Sequence, residues 1–596
     1  MQGLSGDDVI GAQPIWFGEK ERPAFGWLHL PPGGVSRGGV LVCPPIGRDY
    51  LQGHYALRLL AESLADAGFS VLRFDYDGTG NSAGDNLDPN RVESWLATVR
   101  HAVQLLREMG NVDLSAVGMR IGSLLATTVS ASGAALDQLV LWDPCVSGRA
   151  FLREESALYS LLTGDIEVTP LLSDGSLETS GMIYDAATVS ELRTLDVAQL
   201  PRPFARRVLT LVRSDRFEAP IFAEASIAGE VAERGEATGQ PELMDRGSPH
   251  QEPPVLAVKK IVTWLTAGAR GRPQPVRAPS GNASAVVGTS PLGSSVRETF
   301  VRVPPAGLFG VVSEPTASLS DAPSVIFLSV ANQPGVGPNR LWVELSRQWA
   351  YQGVRSFRLD LSGLGDSPSR DIGHERWLPL KPEAFNDVRE AAECIAPEDP
   401  TNVILVGLCS SGYQALDSAF RLRPRGAVAI NPSITFVPPE KREGKPLDPR
   451  RRIVFAKDSV PDAFREGGRL SSLRTRLPQL AWWVRMLGAP KRRSGAWLPD
   501  LDRQGTHVLA ICGEFESRPI RYGITPHKLR RLSRRGSVNL QIFPDLHHEL
   551  LIANQRQQVA DLVSDFVLTR SHAAIGSHEH TGNPCLTCLA AAAEEE

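Results

Sequence analysis

One order of elements occurs twice along this chain, and that duplication limits its fold more than any other feature. The segment GGVLVCPP at 38–45 reads as a short buried strand, and YALRLLAESLADAG at 55–68 follows with its leucines at helical spacing. FSVLRFDYDGTGNS at 69–82 then gives a strand that ends in a Gly-rich turn. SVIFLSVANQPG at 324–335, NRLWVELSRQWAYQG at 339–353 and VRSFRLDLSGLGDS at 354–367 repeat the same three elements in the same order. Each set is followed by an amphipathic helix (92–109 and 384–396) and then by a strand running straight into a helix (114–129 and 402–420). Strands of Val, Ile and Leu alternating with helices predict a parallel, doubly wound α/β sheet, made twice.

At 596 residues the chain exceeds what one core normally serves, so two domains of the larger α/β kind are expected. Residues 1–266 and 297–570 are read as those domains, joined by a linker at 267–296 rich in Gly, Pro, Ala and Ser. The polar Ala/Glu-rich residues 571–596 are read as a disordered tail. Between strands, each half has a less regular region, at about 146–204 and 433–505, expected to form a helical lid. A net charge of −4 argues against nucleic acid as a partner. Seven cysteines spread over such a length make no disulfide framework, and the N-terminus has no secretory pattern, so a soluble cytoplasmic protein is expected.

The sharpest chemical signal is Gly407-Leu408-Cys409-Ser410-Ser411-Gly412 at a strand-to-helix turn. Small residues must flank a side chain on so tight a bend, and the helix N-terminus behind it favours negative charge. This motif resembles the nucleophile elbow of the α/β-hydrolase superfamily, with Cys409 where serine is usual. DLSGLGDS at 360–367 is similar to the Asp-x-x-Gly-x-Gly-x-Ser turn of many such enzymes, and the resemblance spans about 298–570. It implies two tandem α/β-hydrolase domains, each a mostly parallel sheet with a lid. It also implies an acid after the seventh strand, at Glu516 or Glu514, and a base after the eighth, at His548 or His547. Of these, His548 and Glu516 are favoured. The oxyanion donors implied are the Ser410 backbone N–H and one from the 331–335 loop, at Asn332 or Gln333. The resemblance supports an acyl hydrolase, an esterase or thioesterase, working through acyl-Cys409 on a small-molecule or carrier-bound substrate. Acyl transfer from a thioester, a scaffold built of degenerate domains, and Ser410 or Ser411 as nucleophile remain open.

The first half carries Arg120 at its elbow, Gly118-Met119-Arg120-Ile121-Gly122, and an arginine has no lone pair with which to attack a carbonyl. Asp215 and His250 stand where an acid and base would be, with PELMDRGSPH at 241–250 as the eighth strand and its loop. A pseudo-hydrolase is expected here, serving as scaffold or dimer surface. A site in which Arg120 grips an anion, and catalysis by Ser123 or Asp143, are the alternatives. Both halves also resemble hydrolase-like proteins encoded with bacterial exopolysaccharide and exosortase systems. The second lid is basic, with Lys441, Arg442, Lys445, Arg450, Arg451, Arg452, Lys491, Arg492 and Arg493 around Trp482 and Trp483. Its charge fits an anionic partner or a peripheral membrane surface. No cofactor is implied. His578, His580, Cys585 and Cys588 make a weak zinc pattern in the tail, and no metal site is expected.

Overall fold

The computed structural model describes residues 11–164, 166, 168, 171, 175–214, 229–244, 253–279, 282–290, 293–315, 322–331, 333–370, 384–432 and 497–573. Buried aliphatic runs form the central strands of two sheets. The first contains β1 (Ala12–Gly18), β2 (Pro23–His29), β3 (Gly39–Cys43), β4 (Ser70–Phe74), β5 (Leu114–Met119), β6 (Gln138–Trp142), β7 (Ala205–Val212) and β8 (Gly229–Glu236), in the order 1-2-4-3-5-6-7-8. The strands from β4 onward pair in parallel, while β1–β2 and β2–β4 are antiparallel.

The second sheet contains β9 (Ser284–Thr289), β10 (Ser295–Val303), β11 (Leu308–Pro315), β12 (Ser324–Leu328), β13 (Ser356–Leu359), β14 (Val403–Leu408), β15 (Gly426–Ile430), β16 (His507–Gly513) and β17 (Val538–Phe543). Its order is 9-10-11-13-12-14-15-16-17, the pattern of the first sheet with one added edge strand. Helices cover both faces, so the sheets bury side chains on two sides, as their unbroken apolar sequence predicts.

Three sequence expectations are corrected. The 267–296 segment is more than a linker. Gln274–Pro275 pairs with Val35–Ser36, and β9 closes the edge of the second sheet, its short side chains giving little periodic signal. In the first domain the eighth strand is β8, GEVAERGE, while Gln240–Met244 is helical. Gln240-Pro241 suits a first helical turn, which has no use for the missing proline N–H. The last helix runs to Ala573, past the expected start of the tail. Asp215, His250, the basic lid with its two tryptophans and the tail histidines and cysteines lie outside the described residues.

The domains meet through their two Gly-rich turns, which are built alike. Ser82 Oγ donates to the Asp75 carbonyl at 2.7 Å and accepts from Phe25 N at 2.8 Å. Ser367 Oγ does the same with the Asp360 carbonyl at 2.6 Å and Phe309 N at 2.8 Å. Gly80 and Gly365 have φ of 49° and 50°, and a Cβ there would come within 2.0 and 2.2 Å of the turn aspartates. Each turn is then gripped by the opposite domain. Arg73 reaches Asp366 at 2.7 Å, and Arg58 donates to the Gly365 carbonyl at 2.9 Å. In the reverse direction Arg340 donates to the carbonyls of Gly80 and Ser82 at 3.0 and 2.7 Å, and Arg347 to that of Asn81 at 2.8 Å. Trp16 stacks on Phe300 and Trp27 meets Phe309 edge-on, with centroids 5.0 and 4.8 Å apart.

Beneath this junction Glu298 is fully buried, accepting from Arg347 at 2.9 Å and Arg358 at 2.8 Å. Burial alone would raise its pKa, yet the two guanidinium groups hold it well below the usual carboxylate range. Glu298→Gln therefore removes the counter-charge of the buried Arg358 and the part-buried Arg347 and should lower stability by about 3 kcal/mol at pH 7, read from urea midpoints. The stabilisation from a depressed carboxyl is present above about pH 4.3 and is lost as pH falls below it, so wild type and variant should converge in acid.

Candidate functional site

Both elbows share one backbone geometry. Arg120 has φ 55° and ψ −122°, and Cys409 has φ 57° and ψ −115°. The N–H of each donates to the end of the next strand, Arg120 to the Trp142 carbonyl and Cys409 to that of Ile430. Gly407 is required at the second bend, because a Cβ would lie 2.2 Å from the Ser411 carbonyl oxygen. Cys409 is half-buried. Burial pushes the Cys43 and Cys145 thiols up to about 12, so those two behave as apolar filler.

Around Cys409 the structure gathers two of the expected partners. His548 Nδ1 lies 3.1 Å from Glu516 Oε1, and the same imidazole is hydrogen-bonded to the Cys409 side chain. Burial, the largest influence, works against a charged ring, but the hydrogen bonds to Cys409 and Glu516 outweigh it and raise the His548 pKa to about 10. Glu516 sits in the first turn of the helix Glu514–Gly523. Its own burial is offset by His548, which leaves its pKa lowered. Glu514 points elsewhere and pairs with Arg521 at 2.9 Å.

His547 has a different task. Its Nε2–H donates to the Leu162 carbonyl at 3.2 Å and its Nδ1 accepts from Glu549 N at 3.2 Å, and burial lowers its pKa. These partners describe a neutral, structural histidine.

Asn431, which sequence reasoning missed, ties the acid and base segments together. It is fully buried, accepts from Gly513 N at 2.9 Å and donates to the His548 carbonyl at 3.2 Å. Its position at the end of a strand, in an Asn-Pro pair, was the available signal. The expected oxyanion loop is corrected in part. The Gln333 N–H closes a turn onto the Val330 carbonyl at 2.8 Å, because the chain must bend sharply before Pro334. Asn332 lies outside the described residues. Ala331 N–H instead faces the elbow and donates to Ser410 Oγ at 3.2 Å. Ser411 is buried, with its hydroxyl donating to the Leu408 carbonyl at 3.0 Å.

At the first elbow Arg120 is buried and meets Asp49 at 3.1 Å, Asp143 at 3.4 Å and Glu154 at 2.6 Å. Its guanidinium fork is directed at these carboxylates of its own domain. Ser123 Oγ donates to the Gly118 carbonyl. Among the described residues there is no cluster of three metal-ligating side chains, and no helix is long and apolar enough to cross a membrane.

Residues 330–562 match the model of a family described as the alpha/beta hydrolase family. No curated protein matches the chain. Among solved structures, Est1E from Butyrivibrio proteoclasticus with bound ferulic acid is 16% identical at a TM-score of 0.33, covering 43% of this chain and 98% of that one. A hypothetical protein from Pseudomonas aeruginosa is 16% identical at a TM-score of 0.32, covering 45% and 99%. Acetyl xylan esterase from Paenibacillus sp. R4 is 14% identical at a TM-score of 0.28, covering 48% and 88%.

An imidazolium hydrogen-bonded to sulfur stabilises the thiolate, whereas an isolated thiol ionises near pH 8.5. Iodoacetamide labelling of Cys409, read by peptide mass spectrometry, should therefore titrate well below about pH 8.5 in the wild type. His548→Ala should return the midpoint to about pH 8.5. Equal profiles for the two proteins would refute the pairing.

Proposed function

We propose, from the match of residues 330–562 to an alpha/beta hydrolase family model, that the second domain is an acyl hydrolase with Cys409 as nucleophile. The observation that carries this reading is the relay at the elbow, in which the His548 ring bonds both the Cys409 side chain and Glu516. In the proposed reaction the Cys409 thiolate adds to the acyl carbon of an ester or thioester, and the carbonyl oxygen becomes an oxyanion. The Ser410 N–H, at the start of the helix Ser410–Leu422, faces that charge with the helix dipole behind it. Ala331 N–H supplies the second donor once the Ser410 hydroxyl rotates away.

When the intermediate collapses, the carbon–leaving-group bond breaks and the leaving group takes the proton held by His548. Water then attacks acyl-Cys409. His548 accepts the water proton, the acid departs and the thiolate–imidazolium pair is restored. Glu516 keeps the ring oriented and offsets its charge throughout. A sulfur nucleophile exchanges readily with thioesters, which makes these the first substrates to try. The same acyl-enzyme passed to an alcohol or amine acceptor instead of water would be a transfer reaction.

The test is intact-mass spectrometry of the full chain after mixing with short-chain acyl thioesters and p-nitrophenyl esters. An added acyl mass mapped to Cys409, absent in Cys409→Ala, is the expected outcome. His548→Ala should slow turnover by about a thousandfold or more. Turnover that survives Cys409→Ala would sink the cysteine mechanism and point to another nucleophile.

A further inference from the structure

The first domain has an elbow without a nucleophile, and its placement against the second site gives it a task. His548 stands in a short irregular loop between β17 and the helix Ala553–Ala573, and the residues around it are tied to the first domain. On one side, His547 donates to the Leu162 carbonyl at 3.2 Å. On the other, Glu549 forms a salt bridge with Arg48, and Ala553 N donates to Glu178 Oε1 at 2.6 Å. Tyr159 OH donates to that same Glu178 oxygen. The tip of the hairpin made by Leu177–Thr179 and Met182–Tyr184 meets Asn339, whose amide donates to the Leu550 carbonyl at 2.9 Å.

These contacts come from two helices and a hairpin of the first domain, and Arg120 joins the two helices. Its Nε pairs with Asp49, the residue beside Arg48 in the helix Arg48–Asp66. Its Nη2 pairs with Glu154 in the helix Gly148–Thr163, which carries Tyr159 and Leu162. The side chain at the lost nucleophile position thus fixes the spacing between the elements that hold the neighbouring domain's histidine loop.

We propose that the first domain is a built-in clamp for the His548 loop, with Arg120 as its keystone and Arg48 and Glu178 as its jaws. All three are positioning residues, since none touches the reacting atoms. The catalytic consequence rests on the reading of Cys409 and His548 as the reacting pair. The mechanical claim does not, and the test separates them. A reacting group displaced by about 1 Å can lose a hundredfold in rate, so a loop pinned on both sides of the base is of direct use to the chemistry.

The experiment uses the full chain with Arg48→Ala, Glu178→Ala, the double variant and Arg48→Lys. The first readout is amide hydrogen exchange, followed by mass spectrometry of peptides covering 546–556. Faster exchange there in the single variants, faster still in the double and partly restored in Arg48→Lys, with the β14 and β16 peptides unchanged, is the expected result. The second readout is the pH midpoint of Cys409 labelling, together with kcat and KM on an acyl thioester. The double variant should shift that midpoint upward and lower kcat by about ten- to a hundredfold, with KM within about twofold.

Unchanged exchange in the double variant overturns the clamp, whatever the activity. Loosened exchange in a protein whose wild-type Cys409 titrates as an ordinary thiol leaves the clamp standing and removes the catalytic reading. Arg120→Met should loosen the same peptides from a distance. Because that change leaves the buried Asp49 and Asp143 and the part-exposed Glu154 uncompensated, Glu154→Ala serves as the milder version. Wild-type exchange in a folded Arg120→Met or in Glu154→Ala overturns the keystone role.

Discussion

The grip of each domain's arginines on the other's Gly-rich turn sets the geometry of everything else. A tight turn leaves backbone carbonyls pointing outward, and burying them requires donors. Arg340 and Arg347 of the second domain supply those donors to residues 80–84, and Arg58 does so for residues 365–367 of the second. The arrangement binds in both directions. Burial lowers the Arg340 pKa to about 10, because its charge is answered mainly by the turn's carbonyl dipoles. Separating the domains would therefore leave unpaired carbonyls on one side and, on the other, arginines whose packing is lost. With Glu298 beneath and five aromatic rings alongside, the interface has the character of a core.

A junction fixed in this way decides what each elbow can become. The two bends share φ and ψ within a few degrees, and the strands behind them share their order, so the backbone offers the same chemical position twice. The partners differ. At Cys409 the half-buried sulfur meets an imidazole backed by one carboxylate. At Arg120 a longer, permanently charged side chain is surrounded by Asp49, Asp143 and Glu154. The first arrangement stores a proton that can move, while the second holds a charge that cannot leave.

Much of this was legible in the sequence, for local reasons. The elbow, the Gly-rich turns and the alternation of buried strands with helices depend on residues close together in the chain, so Gly407, Gly80 and Gly365 announce their bends directly. The ordering of motifs also brought Glu516 and His548 forward over their neighbours. The contacts that separate His548 from His547 were hidden, because they come from Leu162, nearly four hundred residues away. Only the folded sheet places the Asn431 amide between Gly513 and the histidine loop. The edge strands β1 and β9 went unseen because half-buried edges lack the continuous apolar runs that mark central strands. The role of Gln333 failed for a related reason: sequence places a donor in a loop without saying which acceptor its own turn has already taken.

The first elbow keeps its strained bend although it holds no nucleophile. A non-glycine residue at a φ of 55° carries about 1–2 kcal/mol of strain, which persists only when the surroundings determine the conformation. Here they do. A side chain launched from that bend emerges between the start of the helix Arg48–Asp66 and the helix Gly148–Thr163, and only a long forked cation pairs with Asp49 and Glu154 at once. Lysine could reach one carboxylate but would lack the planar set of donors for both. The same strained position therefore gives arginine its reach between two helices, which is sufficient reason for the bend to persist without a nucleophile.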